Sequence, residues 1–185
     1  MRQGKIAMNK KLVAIAGIVV VAFSVYFITF NSDKGTPLES ETQNIKQLVN
    51  DYSAKNNIEG SASITSHQLI VTKTNDEQLA YQLPEDEFFV SIAPYVETTH
   101  PCAIHNLTGC QGELVEKEFQ IYIEDMAGNV VMDQTMKSLD NGFIDLWLPR
   151  EKTYNITIGY DGKSVNSEIS TFEGDNTCIT TMQLT

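Results

Sequence analysis

A mainly β protein is what this 185-residue sequence predicts: an antiparallel β-sandwich, preceded by a small helix-plus-strands unit and an N-terminal transmembrane helix. Three observations carry that prediction. They are an apolar run from Leu12 to Phe30, one stretch of helical periodicity after it, and period-two alternation bounded by turn signals from Leu114 onward. The length suits one compact domain, or one with a small satellite, and excludes a large multidomain enzyme.

The first element is the apolar run, whose only hydroxyls are those of Ser24, Tyr26 and Thr29. As a helix it would be roughly 28 Å long, close to the hydrocarbon thickness of a bilayer. Arg2, Lys5, Lys10 and Lys11 precede it and no acidic residue does, which places residues 1–11 in the cytoplasm and the rest outside. The bulky residues Tyr26 to Phe30 lack a small-x-small cleavage pattern, so residues 12–30 read as an uncleaved anchor in preference to a removed signal. All 24 acidic residues lie beyond the span with nine of the 13 basic ones, a net charge of −15 there. Such a surface gives no footprint for nucleic acid.

Residues 31–39, with Gly35 and Pro37, read as a linker, and residues 40–96 as the helix-plus-strands unit. Ser40 and Gln43 match a capping box, and Ile45, Leu48, Val49 and Tyr52 fall on one helical face, predicting a helix to about Asn56. Short β-like stretches follow at Gln68 to Thr72, Gln78 to Leu83 and Phe88 to Ile92. Residues 97–185 read as the sandwich domain. Phe119, Ile121 and Ile123 alternate with other residues before Ala127-Gly128-Asn129 turns the chain into Val130 to Met136. Phe143 to Leu148 gives another strand, and Tyr154 to Tyr160 returns through Asp161-Gly162 into Val165 to Phe172. A last strand is expected over Thr177 to Leu184, with Cys178, Thr180, Met182 and Leu184 on one face.

Chemistry concentrates in Thr99 to Glu113, which holds His100, Cys102, His105 and Cys110, two of three cysteines and two of three histidines. Cys102 and His105 are three residues apart, and Gly109 lets the backbone fold Cys110 toward them. The plainer reading is a Cys102 to Cys110 disulfide with Cys178 buried and inert, as exported proteins commonly pair their cysteines. As metal ligands, three thiolates select Cu(I), with zinc in a Cys3His set as the alternative. The methionines Met126, Met132, Met136 and Met182 read as core filling before ligands. His67, alone before a strand, reads as a surface residue. No nucleophile elbow, phosphate-binding glycine loop or HExxH motif is present, and there is no C-x-x-C pair of the usual oxidoreductase kind.

At these residues the chain resembles the CueP family of extracytoplasmic copper-binding proteins. The matching stretches are His100-Pro101-Cys102 to His105, Leu107 to Leu114, Asn141-Gly142-Phe143 with Leu146 to Arg150, and Thr177 to Met182. The resemblance implies a copper site of Cys102, Cys110 and Cys178, with His105 or His100 as an accessory ligand. It also implies thiol-dependent reduction of Cu(II) to Cu(I), and delivery to a copper-zinc superoxide dismutase or another envelope acceptor. Disulfide reductases are the expected helpers, and homodimerisation is left open. The rival expectations are an anchored thiol-disulfide exchange protein and a structural envelope module with one disulfide.

Overall fold

The structure, a computed structural model, describes residues 38–56 and 59–185. The anchor expected at Leu12 to Phe30 and the cytoplasmic segment before it lie outside the described residues. Among those described, no helix is long and apolar enough to cross a membrane.

A single helix, α1 (Leu38–Ser53), is followed by eleven strands among the described residues: β1 (Ser61–Ile64), β2 (Gln68–Thr72), β3 (Gln78–Gln82), β4 (Glu87–Ile92), β5 (His105–Asn106), β6 (Glu118–Asp125), β7 (Val130–Lys137), β8 (Ile144–Pro149), β9 (Thr153–Tyr160), β10 (Lys163–Ser170) and β11 (Cys178–Ile179). The protein is therefore mainly β with one short helix, and every named strand pair is antiparallel except β11 with β4. The helix begins at Leu38, two residues before Ser40. The strands divide among three sheets, ordered β3-β2-β1-β5, β10-β9-β6-β7 and β11-β4-β8, where a sandwich preceded by a helix-plus-strands unit was expected.

What differs is the place of β4, expected in the helix-plus-strands unit but paired with β8 and β11, and the reason is legible in its own residues. Its run Phe88-Phe89-Val90-Ser91-Ile92 is buried at every position, the pattern of a strand covered on both faces. Phe88, Val90 and Ile92 join the cluster formed by Phe119, Ile121 and Ile123 of β6 and Tyr154, Ile156 and Ile158 of β9. Phe89 points the other way, into a cluster with Ile45, Val49 and Tyr52 of α1 and Ile64, Leu69 and Val71 of β1 and β2. The predicted helical face thus buries as its spacing requires. Each fully buried phenyl ring contributes about 1.5–3 kcal/mol, so β4 is a firm platform for what is attached to its edge. Glu41 to Thr185 forms one compact unit, and β4 from the first predicted segment pairs with β8 and β11 from the second.

The final segment departs from expectation in regularity and in direction. Only Cys178–Ile179 is a strand, and it runs parallel to β4, with one further parallel bridge between Tyr95 and Gln183. The two-residue burial rhythm survives nonetheless: Cys178, Thr180, Met182 and Leu184 are buried. Thr181 and Gln183 face solvent. Side-chain alternation was readable because burial demands it; the continuity of backbone pairing was not.

Candidate metal centre

The C-terminal segment is laid along β4 and its extension by alternating backbone hydrogen bonds. Ser91 N donates to Thr177 O (2.9 Å), Ala93 N to Ile179 O (2.9 Å) and Tyr95 N to Met182 O (3.1 Å), while Leu184 N donates back to Tyr95 O (2.8 Å). Beyond Tyr95 the chain loops out and is tied to the same segment. Thr99 Oγ1 donates to Thr180 O (2.7 Å), and Cys178 N donates to Ala103 O (3.1 Å). The loop re-enters the fold as β5, where His105 N donates to Thr177 Oγ1 (3.0 Å) and that hydroxyl donates to Ile64 O (2.6 Å). Two segments 70 residues and more apart are thereby held as one layer.

Cys110 is brought back by a local turn with a clear sequence cause. Asn106 Oδ1 accepts from Gly109 N (2.8 Å), Thr108 Oγ1 (3.0 Å) and Thr108 N (3.2 Å), and Cys110 N donates to Asn106 O (3.0 Å). This is the side-chain-to-backbone competition by which asparagine builds turns. The returning arm is pinned twice more. Gly112 N donates to Asn141 O (2.7 Å), and Glu113 accepts from the backbone N–H groups of Val96 (2.8 Å), Glu97 (3.0 Å) and Thr98 (3.2 Å). Desolvation opposes ionisation of Glu113, but these three donors outweigh it and hold the carboxyl below its ordinary range.

The result is a compact donor set. Cys102 and Cys178 form a disulfide with Cα atoms 5.6 Å apart, and Cys110 is the free thiol. Cys110 Sγ lies 3.7 Å from Cys102 Sγ, and His105 Nδ1 lies 3.4 Å from Cys178 Sγ. The four donor atoms all lie within 4.8 Å of one another. The plainer expectation, a Cys102 to Cys110 disulfide beside an inert Cys178, is corrected here: β11 carries Cys178 against the loop, and Cys178 is the residue paired. Cys178 is 1 % exposed and His105 0 %, whereas Cys102 and Cys110 are half-buried. The set has a dry inner side and a side facing water.

His105 is tuned by that dry side. Burial, helped by the charge repulsion of His100, pushes its pKa from 6.5 down to about 4, so the imidazole is neutral at neutral pH and able to act as a ligand. Its ring packs on Phe143, with centroids 4.5 Å apart, and its Nε2 is buried without a hydrogen-bond partner. The folded value lies below the unfolded one, so the sign of the pH effect follows. Above pH 6.5 both states are neutral and stability is unaffected. Between pH 6.5 and 4 the unfolded chain takes the proton first and stability is lost. At pH 4.5 this loss amounts to about 2.5 kcal/mol. Urea unfolding of metal-free wild type and His105→Asn across this range should show the extra loss in wild type alone. Parallel pH profiles would remove the assignment.

His100, also expected at the site, is not in the donor group; its ring stands edge-on to Phe143 with centroids 6.4 Å apart. His67 is a surface residue whose Nε2 lies 3.5 Å from Glu173. Met182 is buried in the core and Met132 and Met136 pack against it, while Met126 is exposed. Four supporting residues were expected to take no part in the site: Asn106, Glu113, Phe143 and Thr177. Asn106, three residues before Gly109, carried a turn signal that could have been used. Phe143 and Thr177 lie in stretches that carry the family resemblance, but nothing in their hydrophobic and strand-like character pointed to the site.

The family model described as periplasmic copper-binding protein CueP matches residues 43–183. Among solved structures, the crystal structure of S.CueP is similar at a TM-score of 0.71 and 32% identity, covering 86% of this chain and 96% of that one. No curated protein matches the sequence. With three quarters of its length matched, and with the three cysteines and His105 drawn together within it, this chain belongs to the CueP family of periplasmic copper-binding proteins.

Proposed function

We propose that this protein binds Cu(I) outside the cytoplasm through the thiolates of Cys102, Cys110 and Cys178, with the His105 imidazole as fourth donor. The observation that carries this reading is the closeness of one imidazole and three sulfur donors, within 4.8 Å of one another across two distant segments. Soft sulfur donors favour Cu(I) over hard cations, and the exposed acidic surface keeps the domain soluble. Cu(II) reaching the reduced site takes an electron from thiolate. Two thiols closing to one disulfide reduce two Cu(II) to two Cu(I), and the remaining donors hold the product. The Cys102 to Cys178 pair is the natural end point of that oxidation. A disulfide reductase restores the thiols, and an envelope acceptor, such as a copper-zinc superoxide dismutase, receives the copper. The Leu12 to Phe30 segment would keep the protein at the membrane with residues 31–185 outside.

Anaerobic titration of the fully reduced protein tests this directly. Added Cu(II) should appear as Cu(I) in step with thiol loss, at one disulfide per two copper ions, and a Cu(I) chelator should compete for the bound metal. Copper that stays divalent, or Cu(I) binding that survives alkylation of all three thiols, would refute the proposal. Zinc with the same Cys3His set is the competing reading. It predicts tighter zinc than Cu(I) retention in the same titration.

A further inference from the structure

A neutral imidazole that offers Nδ1 as a donor must carry its proton on Nε2. In His105 that Nε2 is buried and has no hydrogen-bond partner. Native proteins rarely leave a buried N–H unpaired, so each such group calls for an explanation. The sheet beneath the ring supplies one. Ser91, on β4, is the register partner of two residues at once, Cys178 on β11 and Asp145 on β8. Register partners share a face, so the three side chains stand in one row, Cys178 at one end and Asp145 at the other. His105 is held over that row. Its ring centroid is 4.5 Å from that of Phe143 and 6.4 Å from that of Phe89. With β4 and β8 antiparallel, those two phenyl groups flank the Ser91–Asp145 pair on opposite sides. Nδ1 faces Cys178 Sγ at 3.4 Å. The two nitrogens of an imidazole point in nearly opposite directions, so Nε2 is turned away from Cys178, and Asp145 occupies the far end of the row.

Asp145 owes its place to the alternation of β8, which buries Ile144, Leu146 and Leu148 on one face and sets Asp145 and Trp147 on the other. It lies among polar groups otherwise foreign to this layer. Ser91 Oγ donates to Asp145 Oδ1 (2.5 Å). Ser53 Oγ, at the end of α1, is buried without a hydrogen-bond partner, yet lies near enough to favour the ionised carboxyl. Desolvation acts the other way and prevails, raising the pKa of Asp145. A carboxyl has two oxygens and about four lone-pair positions, so the bond to Ser91 leaves capacity for a further donor.

We propose that Asp145 is the positioning residue of the His105 ligand: its carboxyl accepts the Nε2–H, directly or across one water, and fixes the tautomer whose Nδ1 electron pair faces the sulfurs. Histidines that bind metal commonly give their other N–H to a carboxylate, and loss of that partner costs 10–100-fold in metal affinity. The proposal rests on the copper-binding reading only for its effect on affinity. The tautomer is a property of the metal-free protein.

The test uses the full-length reduced protein, isotopically labelled at its histidine nitrogens, with His105→Asn to assign the signals. Long-range proton–nitrogen correlation of the metal-free protein at neutral pH should place the His105 proton on Nε2, with a resonance drawn downfield by the carboxyl. Asp145→Asn, which keeps the shape, and Asp145→Leu should each move that resonance upfield, leucine further. Cu(I) affinity, read by chelator competition, should fall about tenfold or more in Asp145→Leu. A proton on Nδ1 in wild type, or an unmoved resonance in folded Asp145→Asn, overturns the proposal. So does folded Asp145→Leu with a Cu(I) affinity equal to that of wild type. A wild type that binds no Cu(I) removes the copper reading instead, and the metal-free resonance still decides the role of Asp145.

Discussion

Replacing Cys178 by Ser is expected to weaken Cu(I) binding by the reduced protein at least about a hundredfold, since even changes to groups that merely support a metal ligand cost 10–100-fold. Serine nearly matches cysteine in size but offers a hard hydroxyl in place of a soft thiolate, so packing against Ala93 and Phe143 is little disturbed. The same loss is expected for Cys102→Ser and Cys110→Ser, because all three sulfurs belong to one group. Stability must be compared with reduced wild type. In the oxidised protein the bond closes a sequence separation of 76, and loop entropy alone assigns it about 4.5 kcal/mol. A purely structural role for Cys178 predicts the reverse pattern: a large stability loss on oxidation and no change in Cu(I) affinity on reduction. Unchanged chelator competition in a folded, reduced Cys178→Ser variant would remove Cys178 from the site.

Where the sequence was informative, a physical demand had to be met by residue type. The helical face Ile45, Val49 and Tyr52 and the alternation in β6 and β9 were legible because burial on one face imposes a period. The hairpin at Asp161-Gly162 was legible because both residues adopt positive φ, which few residue pairs allow. The pairing of β4 with β8 and β11 was not foreseen, although Phe88 to Ala93 is apolar but for Ser91, the kind of run that both-face burial produces. Its partners lie far away in sequence, and periodicity says nothing of which strands meet. The same limit applies at the site. Cys102, His105 and Cys110 could be grouped from their spacing, and Cys178 only through the three-cysteine pattern of the family. Which cysteines pair depends on β11 running parallel beside β4, a fact of topology. His100 was grouped with the ligands by proximity along the chain, yet the turn of the loop aims it at Phe143 instead.

Gly142 and Gly162 offer a matched pair for asking what holds the Cys110 arm in place. Both have positive φ, +77° and +75°, so alanine at either incurs the same left-handed backbone penalty, about 1–2 kcal/mol. They differ in what a Cβ would meet. At Gly162 nothing lies within 4 Å, whereas at Gly142 the Cβ would fall 2.6 Å from Gly112 O and 2.8 Å from Gly112 C. Those are backbone atoms of the arm that carries Cys110, fixed by the Gly112 N to Asn141 O hydrogen bond, and they cannot rotate aside. Gly142→Ala should therefore cost about 3 kcal/mol or more, the excess over Gly162→Ala reporting the clash and the bond it breaks. It should also displace Cys110 from the other sulfurs and lower Cu(I) affinity by at least about tenfold, while Gly162→Ala leaves affinity unchanged. Urea unfolding and chelator competition on the two reduced variants give both numbers. Equal stability losses would show that the Gly112 to Gly142 approach is not tight, and a stability loss at Gly142 with unaltered Cu(I) affinity would show that Cys110 is positioned by the Asn106 turn alone.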